Sequence, residues 1–206
     1  MKTNHFRLFL VLSGFCALFL SACSDDDTPP PVNEEELITT VKLTFTPTGG
    51  GTAITATWKD LDGEGSGAPD LSQATATLQA NTSYTLAVEF LNESESPAED
   101  ITEEVEEEAE EHILYFSVTN GLFSSFTYAD DDAPDSAGDG VFALGLNTNL
   151  STGTGTPATG TLSVTLLHES DKSVGGGTSN GGNVKAVPSG AGGETDIAVD
   201  FTINVQ

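Results

Sequence analysis

Two histidines, His112 and His168, are the side chains best suited to chemistry in the body of this chain; the third, His5, falls in an apolar leader. His112 follows the acidic run EDITEEVEEEAEE and opens the segment HILYFSV, where Leu114, Phe116 and Val118 alternate with other residues. Residues of one parity share one face of a strand, so His112 has core-facing parity at a strand's starting end. His168 continues the parity of Leu162, Val164 and Leu166 where the next strand stops. If the two strands are antiparallel neighbours, the imidazoles meet at one end of the fold, ringed by Glu108, Glu111, Glu169 and Asp171. Two imidazoles with a carboxylate suit zinc or copper. Glu108 and His112 are also spaced i,i+4, which puts both on one side of a helix end. Haem gripped between the histidines is a variant of the same reading. The plainer alternative makes each histidine a hydrogen-bonded rim residue, or makes His112 a cation at a helix C-terminus.

A second constellation, DLDGEG, offers calcium ligands at Asp60, Asp62 and Glu64 with glycine at the sixth position. An EF-hand carries glutamate at position twelve, where this chain has Leu71, although Asp70 stands beside it. A calcium-stiffened loop and an ordinary Asp/Gly turn both fit these residues. No Gly-x-Ser-x-Gly elbow, phosphate-binding glycine loop or His-Glu-x-x-His is present, so the expectation is a protein that binds and is not an enzyme.

The elements that must position these residues are mostly strands. Apolar residues alternate in Val41-Leu43-Phe45, Ile54-Ala56-Trp58, Tyr84-Leu86-Val88-Phe90, Phe142-Leu144-Leu146, Leu162-Val164-Leu166 and Ile197-Val199-Phe201-Ile203-Val205. Gly, Asn, Asp and Ser clusters separate them, as turns require. The pattern predicts an all-β fold, an antiparallel β-sandwich of eight or nine strands, Ig-like in the broad sense, with a β-barrel as the alternative. One acidic helix is expected at about residues 97–111, docked by the stripe Ile101, Val105 and Ala109. Residues 172–193, rich in Gly, Ser and Asn, read as a long flexible loop between the last two strands.

The N-terminus gives an address. Residues 1–22 have a short basic start, an apolar stretch and small residues before Cys23, the layout of a secretory signal. Leu20-Ser21-Ala22-Cys23 resembles a lipobox, which makes Cys23 the lipidated first residue of the mature protein. Residues 23–36 then form an acidic, proline-rich tether, and residues 37–206 the domain. Ser24-Asp25-Asp26-Asp27 resembles a surface-export signal, so the expected location is the outer membrane with the domain at the cell surface, or alternatively the periplasmic face. The expected partners are the membrane, through the lipid, and an outer-membrane transporter that receives the metal.

With 32 acidic residues against six basic ones, two of which are Lys2 and Arg7 in the leader, the surface repels phosphate backbones and excludes nucleic acid as a partner. A protein- or glycan-binding accessory module without a metal is the alternative function. The stretches WKDLDGEGSGAPDL, LQANTSYTLAVEFLNESESPAEDITEEVEEEAEEHILYF, LLHESDKS and AGGETDIAVDFTI resemble a family of bacterial surface or periplasmic lipoproteins known as type 1 periplasmic binding fold proteins. The family's name implies alternating strands and helices, whereas the alternation in the residues implies strands alone. The resemblance implies no activity.

Overall fold

The computed structural model of the chain describes residues 36–63, 66–134, 140–153, 157–175, 177 and 179–206. The signal segment, Cys23 and the tether up to residue 35 lie outside the described residues, as does Glu64 of the second constellation.

Among the described residues twelve strands and one helix follow in order: β1 (Thr40–Pro47), β2 (Ile54–Lys59), β3 (Thr75–Leu78), β4 (Ser83–Asn92), β5 (Glu99–Asp100), α1 (Ile101–Glu107), β6 (His112–Val118), β7 (Phe123–Tyr128), β8 (Asp132–Pro134), β9 (Val141–Ala143), β10 (Asn147–Thr152), β11 (Ala158–His168) and β12 (Glu194–Val205). One sheet has the order β2-β1-β4-β10-β7, with β5 added beside β4; the other has the order β3-β12-β11-β6; β8 and β9 form a separate hairpin. Every pairing is antiparallel except β3 with β12. Neither large sheet closes into a barrel, so the fold is the expected β-sandwich.

The alternating residues fill its interior. Val41, Leu43 and Phe45 of the first sheet share one buried cluster with Leu114, Phe116, Leu162, Val164, Leu166 and Phe201 of the second. Phe116 on β6 lies 5.2 Å, ring to ring, from Phe126 on β7, across the two sheets.

Four expectations need correction. The helix covers only Ile101–Glu107: Glu99 and Asp100 extend the sheet beside β4, and the Asp100 carboxylate then caps α1 by accepting from Thr102 N at 3.0 Å. The expected stripe still docks it, because Ile101 and Val105 are buried and Ala109 packs on the core one turn beyond the helix. Phe142, Leu144 and Leu146 do not form one strand. β9 stops at Ala143, since Gly145 has φ +101 and its N–H, with that of Asn147, turns to the Asp130 carboxylate.

The third correction concerns the connection from β11 to β12, which is not loose. Phe116 N donates to Lys185 O at 2.8 Å, Val184 N to Phe126 O at 3.0 Å and Tyr128 N to Gly182 O at 2.9 Å, so this segment seals the outer edges of β6 and β7. Polar β10 and the short strands β3, β5 and β8 raise the number beyond the eight or nine that alternation reveals.

Candidate metal centre

Strands β6 and β11 are antiparallel neighbours, and their register sets His112 directly opposite His168. The rings stack with centroids 4.4 Å apart and planes 20° from parallel. Both side chains are buried, at 0% and 2% exposure. The parity argument thus places the two imidazoles together, at the end of the core where β6 begins and β11 ends.

Two carboxylates that sequence reasoning missed complete the group. Glu36, assigned to the tether by its composition, lies in the arm before β1 and brings Oε1 to 3.1 Å from His112 Nε2. Asp196 brings Oδ2 to 3.7 Å from the same nitrogen, with its side chain fully buried. On β12 the inward residues are Val199, Phe201, Ile203 and Val205, so parity sends Asp196 outward with exposed Ala198 and Asp200. A bulge reverses it: Leu166 pairs with Ile197 and Leu167 with Thr195, leaving Asp196 as the extra residue, re-aimed at the histidines. One ligand atom from each of Glu36, His112, His168 and Asp196 can lie within 4.8 Å of the other three.

The helix exit orients the imidazoles. His112 Nδ1 lies 3.3 Å from Glu108 O, a contact that fixes the ring with Nε2 toward the carboxylates. His168 Nε2 lies 3.1 Å from Glu111 Oε2. Glu108, Glu111 and His168 form a second, overlapping cluster. Nearby, the buried Lys172 donates from Nζ to Ala109 O at 2.6 Å and so satisfies a carbonyl left by the end of α1.

The charges are coupled. Burial pushes His112 down, but the close Glu36 carboxylate and the charge of Asp196 outweigh it and hold the imidazole above its ordinary 6.5. Burial pushes Glu36 up, and His112 with the charge of His168 overcomes this to hold the carboxyl below its ordinary 4.5. Even so, neither His112 Nε2 nor Glu36 Oε2 meets a partner with hydrogen-bond geometry, although both are buried.

Two residues expected at the site are elsewhere employed. Glu169, at φ +50, turns the chain and is exposed. Asp171 accepts from Ser173 Oγ at 2.6 Å and Ser173 N at 3.0 Å, which caps a turn and holds its carboxyl low. Of the second constellation, Glu64 lies outside the described residues. Asp62 accepts from Gly67 N and Asp70 from Ser72 N, both at 2.9 Å, and none of Asp60, Asp62 and Asp70 joins either cluster. Asp62 and Asp70 each cap a turn with these bonds.

What the described residues offer chemically is a buried set of two imidazole nitrogens and two carboxylate oxygens that could hold a metal ion. No protein-family model, no curated protein and no solved structure matches this chain.

Proposed function

We propose that the chain is a metal-binding protein that holds one zinc(II) or copper(II) ion through His112, His168, Glu36 and Asp196. One observation carries this reading: four ligating side chains from separated parts of the chain converge within 4.8 Å, around a buried His112 Nε2 whose 3.1 Å contact with Glu36 Oε1 lacks hydrogen-bond geometry. Native interiors rarely leave a buried polar atom unmet. A divalent ion would satisfy that nitrogen, and its charge would neutralise two carboxylates. Two nitrogens and two oxygens match the four-coordinate preference of zinc and also suit copper. The stacked rings argue against haem, whose iron needs imidazoles pointing at each other from opposite sides of a flat macrocycle.

Four protein ligands also favour retention over catalysis, because a catalytic zinc keeps a position open. Lipid attachment at Cys23, display at the outer membrane and delivery of the ion to a transporter belong to the same proposal; they rest on the lipobox-like LSAC and the acidic stretch after it. Calorimetry on the chelator-stripped full chain tests the centre. Zinc or copper binds with Kd below about 1 μM, and His112→Ala or His168→Ala weakens it at least ~100-fold. Wild-type binding no tighter than about 1 mM, roughly −4 kcal/mol, would refute the proposal.

A further inference from the structure

A cleft of about 510 Å³ lies among the arm before β1, the loop after β2 and strand β12, and its walls include Glu36, Leu37, Trp58, Asp60, Asp196 and Ile197. Glu36 and Asp196 belong to both the cleft and the four-ligand cluster, whereas neither imidazole lines the cleft. An ion coming from this side meets carboxylates before it meets nitrogen. Behind them lies the buried His112 Nε2, 3.1 Å from Glu36 Oε1 and 3.7 Å from Asp196 Oδ2.

We propose that this cleft is the port by which a divalent cation enters and leaves the centre, with Asp60 as the outer carboxylate that draws it in and Glu36 and Asp196 as the pair that passes it to the histidines. The proposal rests on the metal-centre reading above. Since a water takes about 30 Å³ of liquid volume, the cleft has room for an ion with its hydration shell. Each carboxylate oxygen can replace one water of that shell before the imidazoles bind, so the ion is never stripped at once. Acidic groups set in walls of low polarity, here Leu37, Trp58 and Ile197, concentrate the attractive field along the path. Asp62, held by Gly67 N, stands beside Asp60 at the mouth.

The rival entrance is the helix exit, where the Glu111 side chain is about a third exposed. Its Oε2 already lies against His168 Nε2 at 3.1 Å.

Stopped-flow mixing of the chelator-stripped full chain with copper(II) chloride separates the routes. Trp58 is the only tryptophan and lines the cleft, so quenching of its emission reports arrival. Zinc chloride loading is followed with a chromophoric chelator. Asp60→Asn should lower the association rate constant about three- to tenfold at low salt, flatten its dependence on ionic strength and leave dissociation within about twofold. Asp60→Lys should lower it further. Association unchanged in both variants overturns the port, and so does a larger slowing from Glu111→Gln than from Asp60→Asn. Failure of the wild type to bind either ion overturns the metal centre itself, a result distinct from altered kinetics in a chain that binds.

Discussion

At His112, a proton and the proposed metal ion would compete for one nitrogen. The side chain faces Glu36, Asp196, His168 and the Glu108 carbonyl, and its pKa lies above 6.5 because the carboxylates outweigh burial. In the metal-free protein its contribution to stability is therefore full below 6.5 and fades as the pH rises through the higher folded value. Glu36, held below 4.5, contributes above that value, and its contribution fades only as the pH falls through the lower folded one. Metal-free stability from this pair should thus decline as the pH rises above 6.5, while zinc affinity rises by up to about tenfold per pH unit where His112 must release a proton. Melting curves with and without zinc across that range check both slopes; a zinc-induced increment independent of pH would contradict the assignment. Glu36→Gln should weaken zinc by about 100-fold, or roughly 3 kcal/mol. The histidines could be found in the sequence because both obey strand parity. Asp196 could not, because a bulge alters its parity, and Glu36 could not, because the arm has no periodicity to reveal it.

Among the elements, long alternating strands were legible because half-buried strands must alternate, and α1 was legible from its stripe and its acids. Strands β7 and β10 were not, since FSSFTY and NTNLST mix polar residues into both faces. The junction between β11 and β12 deserves a test of its own, because it sets the end of β11 that carries His168. Gly193 has φ +74, and a Cβ there would overlap the His168 carbonyl oxygen. Gly193→Ala should cost about 1–3 kcal/mol and lower the melting temperature by roughly 3–10 °C. Zinc affinity should fall with it as the strand end shifts. A variant that melts like the wild type and keeps full affinity would show that this end is more yielding than its packing implies.

For the molecule as a whole, the acidic surface favours cation attraction in general, while on the proposal above the buried cluster would supply selectivity among cations. Zinc at about 100 times its Kd should add ~2.7 kcal/mol and raise the melting temperature by roughly 5–10 °C, reversibly with chelator. Glu36, His112, His168 and Asp196 come from the arm before the first strand, the middle of the fold, and the two strands that close the chain. A bound ion would therefore tie long loops together as a covalent cross-link does, in a domain whose sequence beyond Cys23 holds no cysteine for a disulfide. Unlike a disulfide, that staple opens without a reductant: giving up the ion would loosen the arm, β6 and the β11–β12 end together, and hydrogen exchange in those segments should quicken when chelator is added.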